Sequence, residues 1–195
     1  SSAMIDRVVI ANQRRLCEMP VGFKWFAKDL LAGTTAFAGE ESAGATFLDR
    51  SGNAWSTDKD GIIMALLAAE ICATMGHDPS VYYQQLCEQH GTAYYQRVDV
   101  PSSAAMNQTF KALRSEQLKL DKLAGDTVQQ VITHAPGNGA AIGGVKVSTA
   151  NGWFAARPSG TEPIYKVYCE SFISNEHLVA LATEAQALVN EWLQD

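Results

Sequence analysis

Apolar residues recur at helical spacing in the first half of this chain and alternate with polar ones in much of the second. Met4, Ile5, Val8 and Val9 share one helical face, with Ser1 or Ser2 placed to cap it. Residues 16–19 predict a short strand, closed by Pro20. Residues 23–31 predict a helix that Gly33 ends. The apolar run 36–39 leads into an acidic loop, which suits a strand whose C-terminal end presents ligand groups. Over 58–75, Ile62, Ile63, Leu66, Leu67 and Ile71 leave little polar face, so a buried helix is expected. Asp78-Pro79 starts another helix, with proline in its first turn, running to about Gln89 and ended by His90-Gly91.

After Gly91 the pattern changes. Residues 94–100 read as extended, and 104–123 as helical in two pieces. Residues 128–134 alternate and predict a strand, followed by the breakers Pro136-Gly137-Asn138-Gly139. Residues 145–148 and 153–156 form short strands around Asn151-Gly152, a strong hairpin signal. Residues 164–172 predict a further strand, and 176–193 a final helix capped by Ser174 or Asn175. Helices and strands that alternate early, then strands in a run closed by helices, predict two domains. The first is an α/β unit over 1–91 and the second a smaller α+β unit over 92–195.

Composition narrows the function. The chain has 195 residues, 47% of them hydrophobic, enough to bury a core in one or two domains. Its net charge is −6 and no Lys/Arg run interrupts it, which argues against nucleic-acid or anionic-membrane binding. An acidic chain that binds an anion must gather its cations locally, and Arg157, Lys24 and Lys59 are the candidates. Cys17, Cys72, Cys87 and Cys169 are scattered among apolar neighbours, the pattern of reduced core residues rather than a disulfide or zinc framework. The four histidines are equally dispersed. The longest apolar stretch, 61–75, is interrupted by Glu70 and too short to span a bilayer. No signal peptide is read at the N-terminus, and a cytoplasmic location is expected.

The stretch Arg157-Pro158-Ser159-Gly160-Thr161-Glu162-Pro163 carries the most specific chemistry. Arg157 supplies a forked donor suited to phosphate oxygens, and Ser159 and Thr161 add neutral donors. Gly160 lets main-chain N–H groups turn inward as an anion nest. The same residue types also make an ordinary polar turn between strands. Glu40 and Ser42 can bind vicinal hydroxyls, or they can belong to a capped turn. Lys59 stands between two aspartates, as a ligand group or as a solvated residue before a helix.

Together these motifs resemble the α-D-phosphohexomutases, with bacterial phosphoglucomutase the nearest branch. The heptapeptide resembles the phosphate-binding loop of the family's last domain. Gly39-Glu40-Glu41-Ser42-Ala43-Gly44 resembles its sugar-binding loop, and Thr57-Asp58-Lys59-Asp60-Gly61 the segment that follows it. Pro20-Val21-Gly22-Phe23-Lys24-Trp25-Phe26 resembles the specificity loop, with Val21 where related enzymes carry Thr. The resemblance implies an incomplete α/β domain three followed by an α+β, TATA-box-binding-protein-like domain four. It implies an isomerase, an intramolecular phosphotransferase interconverting glucose 1-phosphate and glucose 6-phosphate. Substrate contacts then map to Phe23, Lys24, Glu40, Ser42, Lys59, Arg157, Ser159, Gly160 and Thr161, with Lys59 the candidate for acid/base work. The family's phosphorylated serine motif and its Asp-x-Asp-x-Asp magnesium loop do not occur in this sequence. Mg²⁺ and glucose 1,6-bisphosphate are therefore expected with the whole enzyme, and the domains that hold the serine and the metal are the expected partners. The isolated chain is expected to be inactive. Two alternatives remain: a non-catalytic phosphosugar-binding module, or phosphomannomutase-like specificity.

Overall fold

The computed structural model describes residues 1–42 and 44–194. The chain divides into two units, 1–90 and 91–195, one residue from the boundary read in the sequence. Gly91 opens the second unit with φ +95°, a conformation that favours glycine.

In the first unit, α1 (Met4–Ala11) begins where the Ser2 hydroxyl accepts the Met4 N–H at 3.0 Å. No strand forms over 16–19. The helix expected over 23–31 is split into a 3-10 turn, Phe23–Trp25, and α2, Ala27–Leu31. Phe23, Leu30 and Ala38 form a small core with Phe26 against it. Phe23 and Phe26 meet edge to face at 5.3 Å, which fixes the chain direction through the turn. β1 (Phe37–Glu40) and β2 (Gly44–Phe47) pair antiparallel, from Phe37 opposite Phe47 to Glu40 opposite Gly44. β2 was not foreseen; its Gly44 and Ala45 weaken the strand signal. Ala43 lies outside the described residues. α3 (Gly61–Met75) and α4 (Pro79–His90) complete the unit.

α3 corrects one expectation. Its sequence is apolar all round, yet only Ile63 is buried, while Ile62 is 73% and Leu66 60% exposed. A helix with no polar face calls for burial on several sides, and the described residues supply it on one. Its start is well defined. Asp60 is the N-cap, and its carboxylate accepts the Ile62 and Ile63 N–H groups at 2.8 and 3.3 Å.

The second unit is a six-stranded antiparallel sheet in the order β3-β8-β7-β6-β5-β4. The strands are β3 (Tyr94–Pro101), β4 (Lys122–Leu123), β5 (Asp126–His134), β6 (Ala141–Thr149), β7 (Gly152–Pro158) and β8 (Ile164–Ser171). The helix expected over 104–123 stops early. α5 spans Ala104–Ala112, a 3-10 turn follows, and Lys122–Leu123 joins the sheet as β4. The apolar residues beyond Ala112, Leu113, Leu118 and Leu123, instead serve the core beneath the sheet. α6 (Asn175–Trp192) is capped by Ser174, whose hydroxyl accepts the His177 N–H at 3.2 Å.

One face of this sheet is dry. Val145, Val147, Phe154, Ala156, Tyr165, Val167 and Cys169 pack with Phe110 of α5 and with Leu181, Ala185 and Val189 of α6. Each fully buried large side chain contributes roughly 1.5–3 kcal/mol of transfer free energy. The Tyr165 hydroxyl keeps a partner in the core, donating to Asn190 Oδ1 at 2.7 Å. Burial also pushes the Cys169 thiol up to about 12, so it is packing material rather than a reactive group. Strand alternation turns the residues between these core positions to the opposite face. Arg157 and Lys166 are two of them.

Gly144 of β6 is a tight point beside Arg157. A Cβ there would lie 2.1 Å from Ala156 O and 2.9 Å from Arg157 Cβ. Both obstacles belong to a central strand and cannot swing away. Gly144→Ala should therefore lower stability by about 1–3 kcal/mol, as overpacking does. Urea unfolding of the variant and parent chains measures it, and unchanged midpoints would contradict this packing.

Candidate functional site

Three of the sequence motifs converge in the first unit. The β1–β2 hairpin places Glu40 at the end of one strand and Gly44 at the start of the next, so Glu41 and Ser42 lie at its tip. Gly44 has φ +142°, and a Cβ there would meet Lys59 Cβ at 3.1 Å. Glycine therefore lets the hairpin approach the segment before α3. An antiparallel bridge between Ala45 and Asp60 fastens the two, with the Asp60 N–H donating to Ala45 O at 3.1 Å. Lys59 is thus held between a bridge and a helix cap.

Glu40 is the hub of this cluster. Lys59 Nζ donates to Glu40 Oε2 at 2.8 Å, to Ser42 O at 3.0 Å and to Ser42 Oγ at 3.2 Å. The other carboxylate oxygen, Oε1, accepts the Gly22 N–H at 2.7 Å. Gly22 sits at φ +122°, which orients that N–H and which an L side chain rarely adopts. Burial pushes the Glu40 carboxyl upward. The Lys59 and Gly22 hydrogen bonds and the Lys59 charge outweigh it, and the group titrates below its ordinary value. Glu40 is consequently an acceptor-only carboxylate at neutral pH. Ser42 is exposed at the tip, so its hydroxyl and the remaining lone pairs of Glu40 point to hydroxyl recognition.

Phe23 and Lys24 take different places. Phe23 is buried in the small core. Lys24 is exposed, and its Nζ lies 5.2 Å from the Trp25 ring centroid. Gly22, rather than either neighbour, ties the specificity-loop motif to Glu40. A glycine preceding an aromatic residue was the only sequence signal for it.

In the second unit, the heptapeptide links β7 to β8. The Ser159 N–H donates to Ile164 O at 2.9 Å, which closes the base of the turn. The Thr161 N–H reaches Ser159 Oγ at 3.4 Å. Gly160 and Thr161 are exposed at the tip, and a Cβ on Gly160 would meet nothing within 4 Å. Arg157 is half-buried. Its Nη2 donates to the Tyr168 hydroxyl at 3.5 Å, and its guanidinium lies 5.8 Å from that ring's centroid.

Lys166 was missed from sequence. It sits directly opposite Arg157 in the β7–β8 register. Its Nζ is 3.4 Å from Glu162 Oε2, with the lysine side chain 20% and the glutamate 57% exposed. The strand register reveals it, because opposed residues share a face. The loop thus has two cations, and an anion bound there meets both a fork and a point charge. Among the described residues, no group of three or more His, Cys, Asp or Glu side chains could hold a metal ion, so no magnesium step is derived from this chain.

Comparison with known proteins assigns both units. The profile described as "Phosphoglucomutase/phosphomannomutase, alpha/beta/alpha domain III" matches residues 1–90. The profile described as "Phosphoglucomutase/phosphomannomutase, C-terminal domain" matches residues 97–188. A phosphoglucomutase of Komagataeibacter xylinus is 54% identical over 190 residues, covering 97% of this chain and 34% of its own length. Phosphoglucomutase-1 of Dictyostelium discoideum is 28% identical over 139 residues, covering 64% of this chain and 23% of its own. The chain therefore spans about a third or less of these relatives. In fold it is similar to the open form of pp63/parafusin, a phosphoglucomutase from Paramecium. That match has a TM-score of 0.62 at 22% identity and covers 99% of this chain and 36% of that one. A phosphoglucomutase/phosphomannomutase family protein from Burkholderia thailandensis matches with TM-score 0.59 at 21% identity, covering 89% of this chain and 32% of that one. By both profiles, the chain belongs to the phosphoglucomutase/phosphomannomutase family and carries its domain III and its C-terminal domain.

Proposed function

We propose that this chain supplies sugar and phosphate recognition to a phosphoglucomutase that interconverts glucose 1-phosphate and glucose 6-phosphate. The observation that carries the reading is the cluster of Gly22, Glu40, Ser42 and Lys59, three separate motifs joined by direct hydrogen bonds. Glu40 and Ser42 hold hexose hydroxyls. Lys59 orients Glu40 and is the group able to exchange a proton with a sugar hydroxyl. Arg157, Ser159, Gly160 and Thr161 hold the phosphate that is not reacting. Binding at that remote phosphate aligns the reacting end and contributes to rate as well as affinity.

The phosphoryl-carrying serine and the Mg²⁺ ligands belong, in this proposal, to the rest of the parent protein, which is also the partner that covers α3. Glucose 1,6-bisphosphate is the proposed intermediate. A reducing, cytoplasmic setting fits the four free cysteines. The 54% identical relative is a phosphoglucomutase, which favours glucose over mannose. For the chain alone, the absence of the serine motif from its sequence favours binding without turnover.

Two outcomes follow. Arg157→Ala removes charge-assisted hydrogen bonds worth roughly 1.5–3 kcal/mol, so glucose 1-phosphate affinity should fall about tenfold or more. Calorimetry that finds equal affinity in variant and parent would remove the phosphate assignment. The chain alone, given Mg²⁺ and glucose 1,6-bisphosphate, should not interconvert glucose phosphates. Turnover above the buffer control, in a preparation that mass spectrometry clears of whole enzyme, would mean the chemistry lies within these residues.

A further inference from the structure

A phosphate loop gains nothing obvious from a carboxylate of its own, yet Glu162 lies within this one and pairs with Lys166. The register explains why. Arg157 and Lys166 are directly opposed on adjacent strands, where side chains stand close and like charges repel. Asp99 of β3 is opposite Lys166 on its other side, but Arg97 engages it at 2.9 Å. Arg157 itself leans on the uncharged Tyr168 hydroxyl. Among the described residues, Glu162 is thus the carboxylate that pairs with Lys166 and lowers the net charge of the two opposed cations.

The two partners differ in freedom. Lys166 is anchored in a central strand between the buried Tyr165 and Val167. Glu162 is held through its main chain, its carbonyl accepting the Ile164 N–H at 2.8 Å, while its side chain is more than half exposed. An arriving phosphate meets a fixed cation and a movable anion.

Building on the phosphate-loop reading above, we propose that Glu162 is an internal counter-ion that a bound phosphate displaces from Lys166. Glu162 stabilises the loop before binding and competes with the phosphate for the same ammonium. It is a positioning residue that sets affinity and release, and it does not touch the reacting atoms. Because the glutamate is more than half exposed, water screens its contact with the lysine and the competition is mild, which suits a ligand that must leave.

Titration of the whole chain with glucose 1-phosphate and with inorganic phosphate at fixed pH, followed by ³¹P NMR, tests this. Glu162→Gln should tighten both by about two- to fivefold, the range of an ion pair with one solvent-exposed partner, while slightly lowering the unfolding midpoint. In a Lys166→Met background the same change should lose most of its gain. A purely structural Glu162 would lower stability without tightening binding. If Arg157→Ala weakens binding but Glu162→Gln does not tighten it, the counter-ion role is overturned and the phosphate loop stands. If the gain survives intact in Lys166→Met, Glu162 acts by general repulsion and the proposed pairing is overturned. If Arg157→Ala also leaves binding unchanged, the phosphate-loop reading fails and this inference falls with it.

Discussion

The antiparallel register of β7 against β8 governs the second unit, because it decides which residues face the dry core and which face the loop. Phe154, Ala156, Tyr165 and Val167 point inward, where burial under α5 and α6 leaves them no alternative face. A slip of one residue would send Tyr165 and Val167 to solvent and drive charged groups inward, so the pairing is strongly specified. Arg157 and Lys166 then fall opposite each other without any interaction of their own having to place them. The hydrophobic effect, which has no directional preference, thereby aims two cations with the precision of a strand pair.

The first unit solves a similar problem with less core. Its buried cluster is three residues, and much of its order comes from polar contacts. Gly44 permits a close approach, the Ala45–Asp60 bridge holds it, and Glu40 spans two loops with its two oxygens. Removing either donor would leave a partly buried carboxylate short of a partner, which makes this a polar network of the kind that is specific when complete.

Much of this was legible in the sequence where local rules and tertiary demands agree. The alternating strands of the second unit, a cap at Ser174 or Asn175 that the structure places on Ser174, and the position of the phosphate loop between two strands follow from patterning and cap chemistry. The misreadings have physical causes. The helix read over 104–123 stops at Ala112, because Leu113, Leu118 and Leu123 are five residues apart, off any one helical face, and reach the core from the chain around a 3-10 turn and a short strand instead. Phe23 carries its place in the motif into the core, where Leu30 and Phe26 bury its ring, a packing role that the motif alone does not report. Lys166 carries no motif at all and becomes visible only once strand pairing is known. Gly22 matters through a backbone N–H, which no residue-type pattern reports.

The cap on α3 has a consequence for the sugar cluster. Asp60 grips the first turn of that helix, pairs with Ala45, and so fixes the root of Lys59, its neighbour in the chain. Helix ends fray when the body of the helix is weakly held, and α3 buries one residue along fifteen. The order of the β1–β2 loop is therefore tethered to whatever shields the flank of α3. Shielding that flank would quiet the first turn and with it the Lys59–Glu40 contact. Baring it would let the lysine drift while every residue of the site stayed in the chain. In the proposed reading, recognition in this unit is a property of helix cohesion as much as of the side chains assigned to the sugar.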